Sequence, residues 1–275
     1  MIEDLFFLER QAYRDSLLHR LDARVKILAT FAAVIAIVAV PYSTAVYAAG
    51  GLLFLFFLLL WALSRVSPVV YAKRLAVIAP VWGIVILFQV FVTNPYYTEY
   101  HAVATLPFGI PVYAESIQFA SILAVKFLVA VSFIILLSVT TKLPDLLQGA
   151  GRLGLPAEFA LALGMMIRYL FVFGYIFRKV NETLATRCFH PFDRNLPYRY
   201  RISQLGYTIG TLFIRSYEQG ERVFTSMLCR GYGKHSHLFI EKKPLGRPDW
   251  AFLSLSLAWI LFVLLLCLRG ALPLQ

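Results

Sequence analysis

Two arginines at the ends of basic helices are the residues in this chain best placed to act on a partner. Glu218-Gln-Gly-Glu-Arg-Val-Phe-Thr-Ser-Met-Leu-Cys-Arg-Gly-Tyr-Gly233 reads as a charged helix that stops at Arg230-Gly231. Upstream, Thr186-Arg187-Cys188 closes another basic helix just before Pro191. A guanidinium fork pairs bidentately with a carboxylate, so a protruding Arg suits docking into an acidic groove. The plainer account is capping: a cation at a helix C-terminus complements the dipole by about 0.3–1 kcal/mol. Gly231 and Gly233 would then be ordinary helix stops. The local residues alone leave both accounts open.

Other chemistry is less well supported. Cys188, His190, Cys229, His235 and His237 are metal-ligand types, but the long gap between the pairs fits no zinc spacing, so no metal site is assigned. Lys126, Arg168 and Gln89 are polar groups in apolar surroundings, where membrane proteins place ion-pathway residues. The first four apolar stretches hold no Asp or Glu in their cores, so a cation path would lack ligands. Lys126 is expected instead to face a bundle interior or a water-filled crevice. There is no Gly-x-x-x-x-Gly-Lys-Ser/Thr loop and no nucleophile elbow. No catalytic residue and no cofactor is assigned, and energy for work against a gradient must come from another chain.

The elements that position these residues are membrane helices. The chain is 60% hydrophobic and 15% charged, with a mean hydropathy of +0.72. Crossing a bilayer takes about 20 apolar residues, because backbone groups in lipid must bond internally. Val25–Tyr42, Ala45–Leu63, Leu75–Val92, Ile117–Val139 and Trp250–Leu268 meet that length or nearly so. The expected fold is all-α: a polytopic membrane protein with about five to six transmembrane helices plus cytoplasmic coupling helices. Met1–Leu21 is acidic, then mixed, and has no small-residue cleavage site of a signal peptide.

Charge placement sets the orientation. The net charge is +11, yet no Lys or Arg lies between Arg74 and Lys126, while 16 of the 26 basic residues lie from Lys142 to Arg247. Basic loops stay in the cytoplasm. The N-terminal cluster, the Arg65–Arg74 turn and the Lys142–Arg247 segment are therefore expected inside, and Pro41–Thr44 and Asn94–Ser116 outside. The expected division is 1–141 with four spans, 142–249 as a cytoplasmic or interfacial coupling region, and 250–275 as a final span. Membrane-surface contact with lipid accounts for the basic charge better than nucleic acid, since no nucleic-acid motif accompanies it. Three cysteines are too few for a disulfide framework.

Several segments read locally. Ser16–Lys26 is an amphipathic approach to the first span, with Asp22 and Lys26 at favourable four-residue spacing. Pro144 and Asp145 mark a helix start, and the Gly149–Pro156 stretch is expected to break that helix. Leu153–Phe177 is apolar enough to cross, but crossing would put the following basic segment outside, so it is read as lying along the cytoplasmic surface or dipping partly into it. Phe189–Arg201 reads as a loop and Ser203–Cys229 as a helix.

Taken together and in order, these pieces resemble the CbiQ-type transmembrane component of energy-coupling-factor transporters. The resemblance rests on Leu21-Asp-Ala-Arg-Val-Lys26, Thr140-Thr-Lys-Leu-Pro-Asp-Leu-Leu147, Arg152-Leu-Gly-Leu-Pro156, Arg168-Tyr-Leu170 and Glu221-Arg-Val-Phe-Thr-Ser-Met-Leu-Cys-Arg-Gly-Tyr232. That family carries a pair of Ala-Arg-Gly-like triplets on cytoplasmic coupling helices. Here they read Thr186-Arg187-Cys188 and Cys229-Arg230-Gly231, with both arginines kept and the flanks changed. The first triplet lacks both Ala and Gly, so a departure from the family is expected in its backbone rather than in its charge.

The resemblance implies a non-catalytic scaffold in a bacterial or archaeal inner membrane, with its N-terminus and 142–249 in the cytoplasm. Two cytosolic ABC ATPase subunits would hold the coupling helices, each Arg meeting acidic groups. A separate CbiM-like membrane subunit, alone or with a small accessory subunit, would capture the substrate: cobalt, with nickel as the second option. A shared component for vitamin uptake would look much the same. A reading of another class is an integral-membrane enzyme acting on a lipid, for which Asp145, Glu158, Glu182 and His190 are the only candidate groups. A self-sufficient carrier is disfavoured by the lack of intramembrane acids and of an inverted repeat.

Overall fold

A computed structural model describes residues 16–90, 102–105, 111–154, 156–189, 196–233 and 244–271. The helices are α1 (Leu17–Arg20), α2 (Ala23–Ala39), α3 (Ala45–Ser64), α4 (Pro68–Val90), α5 (Ala114–Thr140), α6 (Leu143–Arg152), α7 (Ala157–Thr186), α8 (Tyr198–Cys229) and α9 (Arg247–Ala271). Two short antiparallel strands, β1 (Ala102–Thr105) and β2 (Pro111–Tyr113), pair in the connection between α4 and α5. The protein is an all-α polytopic membrane protein.

Among the described residues five helices are long and apolar enough to cross a bilayer: α3, α4, α5, α9 and the Glu158–Thr186 stretch of α7. At 17 residues, α2 spans about 26 Å, just under the ~30 Å hydrocarbon core. The charge distribution leads to the expectation that the apolar part of α7 lies along the surface or dips partly into it. Its full length of 30 residues, about 45 Å, is sufficient for a crossing.

The chain forms two compact units: one runs to Leu153 and resumes at Lys242, and the other is Gly154–Glu241. In the first unit α5 packs against α2, α3 and α4, and α9 packs against α2 and α3. Phe57, Ile37, Leu53, Ile122, Val129, Val139 and Val263 are fully buried there. An aromatic cluster joins three of these helices to α4. Phe57 lies 5.3 Å from Tyr71 and 6.0 Å from Phe133, and Phe56 stacks on Trp259 at 5.9 Å. Gly50 lets α3 approach α5 closely, since a Cβ there would collide with Val125 Cγ1.

Charged residues at the helix ends serve this bundle. Asp22 caps α2, accepting from the Arg24 amide at 3.0 Å, and pairs with the side chains of Arg24 at 3.1 Å and Arg152 at 3.7 Å. Its own amide donates to Asp249 Oδ1 at 3.0 Å, while Asp249 Oδ2 accepts from the Gly246 amide at 2.9 Å at the start of α9. The first and last described long helices are thereby tied at one point. Lys26 does not bond Asp22 across the four-residue spacing read from the sequence. It turns inward, is buried, and donates to the carbonyls of His19 at 3.2 Å and Thr140 at 3.0 Å. Burial is decisive here: a buried ammonium needs acceptors, and carbonyls at two helix ends supply them.

Lys126 resolves in the same way. Its Nζ donates to the carbonyls of Val38 and Val40 at the C-terminal end of α2, and lies 4.2 Å from the Tyr42 ring centroid. Pro41 follows, which cannot extend the helix, so these carbonyls have no helical donor. The lysine faces the bundle interior as expected, and its work there is to close α2.

Candidate functional site

In the second unit α7 and α8 form the frame. Pro156 and Pro197 stand immediately before them, pre-set for helix starts by their fixed φ. The Gly149–Pro156 stretch does not break α6 where its glycines begin. The helix continues through Gly149 and Gly151 and stops at Arg152, and Gly154 then takes φ +116°. Gly149 is retained inside α6 because α2 lies against it: a Cβ there would sit 3.0 Å from Ala23 Cβ.

Both candidate triplets fall at helix ends with the same backbone. At the end of α7, Thr186 is the last helical residue and Arg187 the cap, with φ −90° and ψ 17°. Cys188 takes the left-handed conformation at φ +54°. The Cys188 amide donates to Ala185 O at 2.9 Å and the Phe189 amide to Leu184 O at 3.0 Å. At the end of α8, Cys229 is last and Arg230 caps, with φ −90° and ψ 8°, and Gly231 has φ +80°. The Gly231 amide donates to Leu228 O at 2.9 Å and the Tyr232 amide to Met227 O at 3.0 Å. Each end is a Schellman motif, which satisfies otherwise free helix carbonyls and turns the chain sharply away.

The first triplet therefore keeps the geometry of the second without a glycine. Cys188 tolerates the left-handed region at a cost of about 1–2 kcal/mol. Phe189, in the position after it, is buried at 6% exposure and packs edge-on to Tyr200 at 6.1 Å. That contact helps hold the turn. Arg187, Cys188, Cys229, Arg230 and Gly231 are all exposed, as is Thr186, whose hydroxyl donates back to Thr183 O at 2.8 Å. Neither arginine makes an ion pair among the described residues. Each motif thus presents a free guanidinium at a rigid helix end, suited to a carboxylate from outside the chain. Arg222 and Glu218, by contrast, face each other on α8 at 3.9 Å.

The other candidates do not converge. Among the described residues no group of three or more His, Cys, Asp or Glu is placed to hold a metal. His190, His235 and His237 lie outside the described residues. Glu158 and Glu182 are both exposed and sit 24 positions apart on one helix, about 36 Å along its axis. They cannot flank one substrate. Asp145 is exposed on α6 in the other unit. Arg168 is exposed on α7, and Gln89 is half-buried on α4.

Sequence reading missed the Asp22–Asp249 tie and the inward turn of Lys26. The Leu21–Lys26 run carries the charges, but nothing in it points to Asp249, 227 positions away.

Comparison with known proteins adds a family. Residues 14–239 match the family model described as CbiQ, cobalt transport protein, a range that takes in both triplets. The chain is 25% identical over 272 residues to the uncharacterized protein MJ1571 of Methanocaldococcus jannaschii, covering 98% of this chain and 89% of that one. It is 28% identical over 134 residues to a second uncharacterized protein of that organism, MJ1089, covering 49% of this chain and 48% of that one.

Proposed function

The chain belongs to the CbiQ family of cobalt transport proteins, and from that premise we propose that it is the non-catalytic scaffold of an energy-coupling-factor importer. As a multi-pass membrane component of cobalt transport, it needs a source of energy, and its sequence holds no nucleotide-binding loop. Two cytosolic ABC ATPases supply that energy, docking on the ends of α7 and α8. A separate CbiM-like membrane subunit, with or without a small accessory subunit, captures the ion: cobalt, with nickel second.

The observation that carries this reading is the repeated helix end. Two Schellman motifs in one unit each present an arginine at the same cap position, unpaired among the described residues. Two ATPases with equivalent acidic grooves would each accept one such end. Thr186, Arg187 and Cys188 form one contact, and Cys229, Arg230 and Gly231 the other. The hydrogen-bonded turn fixes where each arginine leaves the backbone, so that its planar fork can pair bidentately with a carboxylate. Orientation follows from charge: the N-terminal region and 142–249 lie on the cytoplasmic side, where basic segments stay. Closure of the ATPase pair on ATP would then move the two helix ends together.

The test is isolation of the tagged chain from native membranes in mild detergent, with co-purifying chains identified by mass. Recovery of an ABC ATPase together with a small hydrophobic membrane protein is expected. Recovery of the chain alone, under conditions that keep other membrane complexes intact, overturns the scaffold reading.

A further inference from the structure

We infer that the α7–α8 pair holds an anionic phospholipid, with its phosphate between the helices and its acyl chains along them. A cleft of about 450 Å³ brings Lys179 and Arg187 of α7 together with Arg215, Gln204 and Tyr207 of α8. Among the described residues no carboxylate lines it, and none of the three cations is ion-paired. The threonine hydroxyls of the cleft turn back on their own helices: Thr183, Thr208 and Thr211 donate to carbonyls four residues earlier at 2.8–2.9 Å. Among the described residues Lys179, Arg215, the Gln204 amide and the Tyr207 hydroxyl are left to meet a ligand, while Arg187, the docking arginine, contributes only its charge. Three like charges facing one cleft repel one another, and an anion of charge −1 or more relieves that repulsion.

The same helix pair carries a second cleft, of about 440 Å³. Phe173 and Phe177 of α7 face Ile209, Leu212 and Phe213 of α8 there. Phosphate-binding donors beside an apolar trough on one pair of helices are the complement of an amphiphile. A free phosphate would occupy the first cleft and leave the second bare, whereas a phospholipid fills both. Basic pockets between helices at a membrane face bind anionic headgroups for this reason, and Arg and Lys supply the phosphate contacts. The inference rests on the placing of this unit at the membrane, but not on the identity of any docked ATPase.

The test uses the full chain purified in mild detergent and native mass spectrometry against added phosphatidylglycerol or phosphatidylcholine. The wild type should retain phosphatidylglycerol preferentially. The Lys179→Gln/Arg215→Gln variant should lose that preference by roughly fivefold per cation, about twenty-five-fold in all. A control of equal charge, Lys73→Gln/Arg199→Gln, should keep it, because its exposed cations lie outside the cleft. Phe177→Ser/Phe213→Ser should weaken binding of both lipids. Equal retention of the two lipids by the wild type overturns the inference. So does an equal loss in the control, which would mean general surface charge, or displacement of the lipid by millimolar inorganic phosphate, which would mean a free-anion site. ATPase co-purification scored in the same samples separates failure of the lipid site from failure of the scaffold reading.

Discussion

Cys188 and Gly231 occupy equivalent positions, each one residue past a capping arginine and each in the left-handed region, at φ +54° and +80°. The two helix ends differ in sequence at every position of the triplet except the arginine, yet fold to the same hydrogen-bonded turn. The turn's geometry is set by the amide-to-carbonyl bonds of the motif, and the side chain in the left-handed position only changes its cost.

Cys188→Gly should therefore stabilise the protein by about 1 kcal/mol without altering the turn, since Gly populates positive φ without the Cβ penalty. Gly231→Val should destabilise by about 1–2 kcal/mol, a β-branched residue being worst there. Thermal unfolding of both variants in detergent measures this. A destabilised Cys188→Gly protein would mean that the thiol makes a contact worth more than the backbone strain.

Arg230→Glu should leave the protein inserted in the membrane and abolish association with the ATPase. Capping is worth only about 0.3–1 kcal/mol at an exposed helix end, so loss of the cation barely affects folding, whereas charge reversal places two anions face to face. Arg187→Ala should weaken metal uptake by the whole transporter. Normal ATPase recovery with Arg230→Glu, or full uptake with Arg187→Ala, would reduce these arginines to caps.

The Asp22 node predicts a pH dependence. Burial alone would raise this carboxyl, but the hydrogen bonds from the Arg24 side chain and backbone and the charges of Arg24 and Arg152 hold it below the usual carboxylate range. A depressed folded-state value contributes stability that is full above the unfolded value near pH ~4 and is lost as pH falls through the lower folded one. Asp22→Asn keeps a capping side chain but loses both ion pairs, for a cost of about 1–3 kcal/mol at neutral pH. The gap between wild type and Asp22→Asn should be flat from pH 5 to 8 and close below pH 4. A gap that changes near neutrality would implicate another group.

Lys126→Met keeps the aliphatic stem but leaves the Val38 and Val40 carbonyls without their donor. The expected result is a loss of about 1–3 kcal/mol, with uptake per folded molecule unchanged. Normal stability with abolished uptake would make this lysine part of an ion path after all.

Gly50 and Gly51 form a natural control pair. A Cβ at Gly50 collides with the stiff Val125 side chain, while one at Gly51 meets nothing within 4 Å. Gly50→Ala should destabilise by about 1–3 kcal/mol, and Gly51→Ala should be neutral or slightly stabilising. Equal effects would place the close α3–α5 approach elsewhere.

The residues by themselves determined the class and most of the elements. Apolar runs near 20 residues must be helices in lipid, because their backbone groups have no other partners, and five such runs carry α2, α3, α4, α5 and α9. Pro144 and Asp145 marked the start of α6, and the Arg-Gly pair marked the end of α8, since these signals act within one turn of helix. The positions of Arg187 and Arg230 at helix ends were legible for the same reason. Only the tertiary structure decided where long-range partners lie. It sent Lys26 to Thr140 rather than Asp22, Lys126 to the open end of α2, and Asp249 to the Asp22 amide. A buried charge takes whatever acceptor packing brings within reach, and that depends on which helices become neighbours, not on spacing along the chain. The left-handed turn at Cys188 was illegible on the same principle: no local propensity favours it, and the hydrogen bonds of a whole helix end hold it there.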